Sequence, residues 1–281
     1  MPPNGDFGVK AFYFSDVGAV RAHNEDSLLC GEMVVSKGDS PDVWEKELPH
    51  EAFLVAVADG MGGGPGGEEA SALVLRNLKK IDLSQFGRKS QDVVTEVIYG
   101  AAREMVALGR ARPALAGLGS TVAGLWVKGD KALAFNCGDS RIYRVRHGFF
   151  DLLSKDHSLV YELFARGGIS EEEMATHPLK HVLTASIQDS PDEPKLFFRE
   201  VKILPGDSFF LCSDGVWEAV TRAELESFIE IGSPLLGSHL LAQALSSREC
   251  RDNISFLWLA KEELVSWDEE SESGTIAFIK S

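Results

Sequence analysis

Nothing in the 281-residue sequence approaches the roughly 20 consecutive apolar residues that span a bilayer. Met1 to Lys10 also lacks the cationic start and apolar stretch of a secretory signal, so the chain is expected to be soluble and cytoplasmic, with no membrane span. Basic residues are scarce beside acidic ones, 28 against 43, for a formal net charge of -15. That balance excludes a nucleic-acid partner, because phosphate backbones demand a basic face. Only four cysteines occur, Cys30, Cys137, Cys212 and Cys250. They are far apart and two sit in apolar runs, so they read as reduced core thiols and not as a zinc set. There is no internal repeat, no dinucleotide fingerprint and no P-loop with its lysine.

What is present is an ordinary globular composition, 44% hydrophobic and 25% charged. Apolar segments of strand length recur at Ala52 to Ala58, Ser120 to Val127, Lys131 to Cys137, Arg141 to Val145, Ser208 to Cys212 and Ile254 to Leu259. Helical spacing covers Glu68 to Lys79 and Asp92 to Leu108, the second with Val93, Val97, Ile98, Ala101 and Met105 on one face. Thr221 with Glu224 forms a capping box, and Ser233 followed by Pro234 opens another helix. Strands and helices come in blocks, which predicts an α+β fold: a central antiparallel β-sandwich flanked by helices on both outer faces. One domain is expected over residues 1–260, with Lys37 to Pro49 as a long loop. Residues 261–281 form an acidic extension in which Thr275 to Ile279 is expected to add a short strand.

The chemistry lies where apolar runs meet aspartates beside small residues. Phe53 to Ala58 runs into Asp59 and Gly60, and Leu133 to Cys137 into Gly138 and Asp139. Phe209 to Cys212 runs into Ser213 and Asp214, while Asp252 precedes Ile254 to Leu259. A single Asp-Gly is a common turn. Four aspartates at the ends of buried strands can instead converge, and an oxygen-only set selects hard cations, Mg2+ or Mn2+. The segment Asp16 to Ser27 adds Arg21, whose planar fork suits a phosphate dianion, with Glu25 and Asp26 as further carboxylates; a solvated turn with a local ion pair is the alternative. His23 is expected at the surface. The glycines of Gly60 to Gly67 form a turn that lets Asp59 and the Gly60 carbonyl face metal ions. A nucleophilic role for Ser120 would require a histidine base that has no place in the pattern.

The order VRAHNEDS from Val20, VADGMGGGPGGEEAS from Val57, GST from Gly119, CGDSR from Cys137, LSKDHS from Leu153, LCSDGVWE from Leu211 and RDNIS from Arg251 resembles the type 2C family of metal-dependent protein phosphatases in its compact bacterial form. The resemblance runs from about Phe12 to Leu259. It implies a serine/threonine phosphatase acting by in-line attack of a metal-bridging hydroxide, with no phosphoenzyme. Asp59 would bridge two Mn2+ or Mg2+ ions, with the Gly60 carbonyl on one and Asp214 and Asp252 on the other. Asp139 with Asp214 would hold a third ion, Glu25 and Asp26 would support the metal shell, and Arg21 would bind the substrate phosphate. Animal members carry a histidine after the Asp-Gly pair to protonate the leaving group; here Met61 stands there, leaving His157 and His177 as candidates. Ser154 to Ile187 resembles the family's mobile flap, with HVLTASIQ from His181 where an arginine-bearing version is expected. Implied partners are phosphorylated proteins, a cognate kinase and its substrates, met by a monomer. A catalytically weak sensor or scaffold and a small-molecule phosphohydrolase are the alternatives.

Overall fold

The computed structural model describes residues 8–62, 65–188 and 193–261. Strands β1 Val9–Asp16, β2 Asp26–Cys30, β3 Met33–Ser36, β4 Trp44–Leu48 and β5 Ala52–Met61 precede helices α1 Pro65–Leu78 and α2 Ser90–Ala111. Next come β6 Gly119–Ser120, β7 Val122–Lys128, β8 Lys131–Cys137, β9 Arg141–Arg146 and β10 Phe149–Leu152. Short helices α3 Leu159–Ala165 and α4 Glu171–Thr176 lead to β11 Ile187–Gln188, β12 Phe197–Lys202 and β13 Ser208–Cys212. Helices α5 Asp214–Trp217, α6 Arg222–Ile229 and α7 Pro234–Ser246 then precede β14 Ile254–Lys261.

All ladders are antiparallel. One sheet of six strands runs β10-β9-β13-β14-β1-β4; the other, of eight, runs β11-β6-β5-β7-β8-β12 with β2 beside β5 and β3 beside β2. The apolar runs are unbroken because both faces of each sheet are covered. On β5, Phe53, Val55 and Val57 point between the sheets with Leu125, Leu211 and Leu257, while Leu54, Ala56 and Ala58 pack under α1 and α2. On β14, Leu257 and Leu259 point inward, and Phe256 and Trp258 pack under α6 and α7 with Leu225, Leu241 and Leu245. This is the expected helix-flanked sandwich, and the four cysteines are buried free thiols within it.

Three local expectations change. The segment Lys37 to Pro49 is not all loop: β4 pairs with β1 from Val9 against Leu48 to Tyr13 against Trp44. Its sequence WEKEL buries only Leu48, as suits an edge strand kept polar against further pairing, and so gives little apolar signal. Strand β5 does not stop at Ala58 but carries Asp59, Gly60 and Met61, because β2 and β6 pair with it there. The buried face of α2 is Val94, Ile98, Ala101, Ala102 and Met105, with Val93 and Val97 at its margin. The acidic Trp267 to Gly274 and the strand expected over Thr275 to Ile279 lie outside the described residues.

The predicted caps form. Ser233 caps α7 with Pro234 at its first position, and the Thr221 hydroxyl accepts from the Glu224 amide while the Glu224 carboxylate accepts from the Thr221 amide. Thr221→Ala is expected to lower Tm by roughly 2–4 °C, measured by thermal unfolding, since a lost cap costs about 1 kcal/mol.

Candidate active site

Loops at one end of the sandwich meet in a cleft of about 850 Å³, lined among others by Arg21, Glu25, Asp59, Gly60, Asp139, Asp214 and Asp252. Asp59 is locked by its own backbone: its amide donates to Thr121 Oγ1 at 3.0 Å, and its carbonyl accepts from the Thr121 amide at 2.8 Å and from Ser120 Oγ at 3.1 Å. Ser120 is thus a buried structural donor and not a nucleophile. Asp214 opens α5 directly after β13. Asp139 sits in the turn after β8, where its carbonyl accepts from Trp217 Nε1 at 3.1 Å. Beneath that indole plane, Arg141 stacks at 3.8 Å from the ring centroid and forks onto Asp156. Asp252 precedes β14, and Arg21 Nη2 donates to its Oδ2 at 2.8 Å.

Asn253 joins the loop before β2 to the loop before β14, a role the sequence did not show. Its Oδ1 accepts from the Glu25 amide, and its Nδ2 donates to the carbonyls of Val17 and His23. The Glu25 carbonyl in turn accepts from the Gly60 amide at 3.1 Å and from Ser71 Oγ at 2.6 Å. Asp26, opposite Asp59 in the β2–β5 ladder, does not reach the cleft. It lies buried behind it, its Oδ2 accepting from Ser213 Oγ at 2.7 Å. Its Oδ1 is likewise buried with no hydrogen-bond partner, so the carboxylate sits behind the lining and not on it.

Burial raises the carboxyls of Asp59 and Asp214 well above the usual range; the charges of Asp214, Asp26, Asp139 and Asp252 raise Asp59 further, and those of Asp139, Asp252, Asp26 and Glu218 raise Asp214. Asp26 and Asp139 are pushed up to about 7, again chiefly by burial. So many buried carboxylates in one place require positive charge. The donor set fits a hard cation: oxygen ligands, a Gly60 backbone that approaches without a side chain, and Asp214 Oδ1 buried with no hydrogen-bond partner. The expected ligands other than Asp26 line one cleft, but no three of the expected carboxylates bring their oxygens within 4.8 Å of one another.

Neither histidine named as a proton donor lines the cleft. His157 Nδ1 accepts from the Gly138 amide, and its ring is held below the ordinary histidine pKa by burial. His177 Nδ1 accepts from the Leu179 amide at the exposed end of α4. His23 is about half exposed, as expected, 3.4 Å from Glu68. Lys180, His181 and Glu218 line the cleft instead. Glu218 was legible in part, since it lies four residues after Asp214 in LCSDGVWE and so on the same helix face. His181 carried no such pattern.

The architecture and the site define a class: helix-flanked double-sheet proteins that gather carboxylates from several strand ends into one cleft. The family model for protein phosphatase 2C matches residues 38–247. The serine/threonine protein phosphatase PstP of Mycobacterium tuberculosis is 30% identical over 86% of this chain, and the chain spans 43% of that relative's length. A putative protein phosphatase 2C-type protein of Streptococcus pyogenes is 33% identical, over 76% of this chain and 82% of its own. The crystal structure of the PstP catalytic domain in complex with two manganese ions superposes with a TM-score of 0.73, at 27% identity, over 90% of this chain and 98% of that one. The chain belongs to the protein phosphatase 2C family.

Proposed function

We propose that this chain is a metal-dependent protein serine/threonine phosphatase, hydrolysing phosphoserine and phosphothreonine with Mn2+ or Mg2+. The observation that carries the reading is the convergence of Asp59, Asp139, Asp214 and Asp252 on one cleft together with Arg21. Asp59, the Gly60 carbonyl, Asp214 and Asp252 would hold two ions, and Asp139 with Asp214 a third. Glu25 borders this set, and Asp26 acts through Ser213, whose hydroxyl fixes the approach to α5. When bound, the ions supply Lewis acidity that makes water a nucleophile near neutral pH and offsets charge on the phosphoryl oxygens.

Arg21 spends one of five guanidinium donors on Asp252 and keeps the rest for a phosphate oxygen. No covalent route is built into the cleft, since Ser120 is buried and Cys250 Sγ turns away to donate to the Leu245 carbonyl. Met61 cannot deliver a proton to the leaving alkoxide. No helix among the described residues is long and apolar enough to cross a membrane. Residues 1–260 then act as the catalytic domain with 154–187 as its flap, in a cytoplasmic monomer whose substrates are phosphoproteins, including a cognate kinase and its targets.

Phosphate release from a phosphothreonine peptide, measured with Mn2+ and with chelator, tests the reading. Activity in Mn2+ that chelator abolishes is the expected result, and Arg21→Ala should lower kcat/KM roughly 100-fold, the scale of losing one charge-stabilising donor. Metal-independent turnover would sink it. A small phosphoester turned over far better than the peptide would point to a small-molecule phosphohydrolase.

A further inference from the structure

Helix α7, PLLGSHLLAQALS, holds no Asp, Glu, Lys or Arg. Leu241, Ala242 and Leu245 bury one side of it over Phe256 and Trp258. The opposite side is apolar as well: Leu235, Leu236 and Leu240 are exposed, as is Ile231 just before the helix. Four of the eleven exposed large apolar side chains among the described residues thus fall within ten positions. A helix that is apolar all round is normally covered on both sides, and clustered exposed apolar groups mark an interaction site where scattered ones do not.

Helices α6 and α7 shape this surface into a groove of about 410 Å³, with Phe228 and Ile231 on one wall and Leu240, Gln243 and Ala244 on the other. The walls are fixed, because a Cβ at Gly237 would lie 2.5 Å from the Phe228 carbonyl oxygen: the two helices meet at backbone contact. Charge is confined to the ends. Arg222 is engaged by Glu226 at 2.9 Å and Arg248 by Glu224 at 2.6 Å, while Glu230 and Glu249 have no such partner among the described residues. Glu230 immediately precedes Ile231 at one end. At the other, Ser247 lines the groove, and the next two residues, Arg248 and Glu249, line the cleft of Asp59 and Asp214.

We propose that this groove docks a helix of a phosphoprotein substrate, with an apolar stripe facing α6 and α7 and Lys or Arg at both ends of the stripe. The stripe follows from the uncharged walls, which accept i, i+3, i+4 and i+7 anchors, and the basic ends follow from Glu230 and Glu249. Helix α7 is about 20 Å long, so the bound helix has three to four turns. A second copy of this chain would bring another formal charge of -15 against the same surface, and an anionic bilayer meets the same repulsion. A cationic helix is attracted instead. Because groove and cleft adjoin at Ser247 and Arg248, a docked helix raises the local concentration of a phosphosite tethered to it. The assignment to a substrate rests on the proposed phosphatase reading; the fit to a helix does not.

The probe is a model peptide of leucine and lysine, about 15 residues long, with leucines at helical spacing and lysines at both ends. A scrambled peptide of equal composition is its control, and binding to the full chain is read by fluorescence anisotropy. Wild type should bind the ordered peptide at least about 10-fold tighter than the scrambled one. Leu240→Glu should abolish that difference, whereas Phe149→Glu, at an exposed apolar residue outside the groove, should keep it. Glu230→Lys combined with Glu249→Lys should shift the preference to a peptide with glutamates at its ends. Joined to a phosphothreonine peptide, the ordered helix should lower KM about 10-fold at unchanged kcat in wild type but not in Leu240→Glu, which keeps its turnover of the unjoined peptide. Equal binding of the two peptides by wild type, or a preference that survives in Leu240→Glu, overturns the proposal and leaves the phosphatase reading standing. So does a dimer in sedimentation that Leu240→Glu dissociates, which would make the face a contact between copies. Helix binding without any Mn2+-dependent phosphate release from the unjoined peptide overturns the phosphatase reading, and with it the assignment of the helix to a substrate.

Discussion

Replacing Asp59 by Asn is expected to cut Mn2+-dependent phosphate release by roughly 10³-fold or more and, in chelator, to raise the melting temperature. The two effects have one cause. Asp59 is buried beside Asp214, Asp26, Asp139 and Asp252, so in the absence of cations Asp59, Asp214, Asp26 and Asp139 are driven towards their protonated forms. Because the folded pKa lies above the unfolded one, the folded state binds more protons. The stability this gives is fully present below the ordinary Asp value of about 3.9 and is lost as pH rises through the folded values. For Asp26 and Asp139 those are about 7. The metal-free protein should therefore lose Tm progressively from about pH 4 to beyond 7, with a shallower slope in Asp59→Asn. At pH 8 the variant should melt higher by on the order of 5 °C, at about 2–4 °C per kcal/mol for a chain of this size. Saturating Mn2+ should reverse the order, because a ligand that binds only the folded state stabilises the protein that holds it better. A variant that keeps its turnover and melts lower in chelator would remove Asp59 from the centre of the site.

Six runs, those of β5, β7, β8, β9, β13 and β14, were legible because continuous apolar runs need no alternation to be recognised. Strand β4 was not, because an edge strand with one buried residue looks like loop. Asp59, Asp139, Asp214 and Asp252 were readable as the charged ends of buried runs, and Arg21 as the lone cation of an acidic segment. What sequence could not show was which of them face the same side. Asp26 and Glu25 are adjacent in the chain, yet strand alternation sends one behind the cleft and the other to its wall. The candidate proton donors were misplaced for a related reason: His157, His177 and His181 all lie in the 154–187 segment, but of the three His181 is the one carried to the cleft, by a turn whose direction no periodic pattern records.

Gly60→Ala should be among the most damaging single-methyl changes in the chain. Torsion is not the reason, since Gly60 is not among the glycines with positive φ. A Cβ there would lie 2.0 Å from the Gly67 carbonyl oxygen, 2.4 Å from its carbon and 2.7 Å from the Glu25 carbonyl oxygen. All three are backbone atoms, so no rotamer change relieves the contact. A Cβ at Gly67 would likewise meet Glu25 Oε2 at 2.4 Å. These two glycines of GMGGGPGG therefore serve close approach more than turn flexibility: they let β5, the start of α1 and the Glu25 strand entry close to backbone contact beside the cleft. Adding the methyl must push α1 off β5, at about 3 kcal/mol or more, or roughly 10 °C in Tm, and displace the Gly60 carbonyl from the cleft, with at least about a 10-fold loss in Mn2+ affinity. Gly100→Ala is the control. It makes the same change inside α2, where the nearest atom is the Arg103 Nη2 at 3.9 Å, and should stabilise by about 0.5–1 kcal/mol. If calorimetry finds Gly60→Ala within a degree of wild type, the contact with Gly67 is slack, and the packing of α1 against β5 does not hold the Gly60 carbonyl in place.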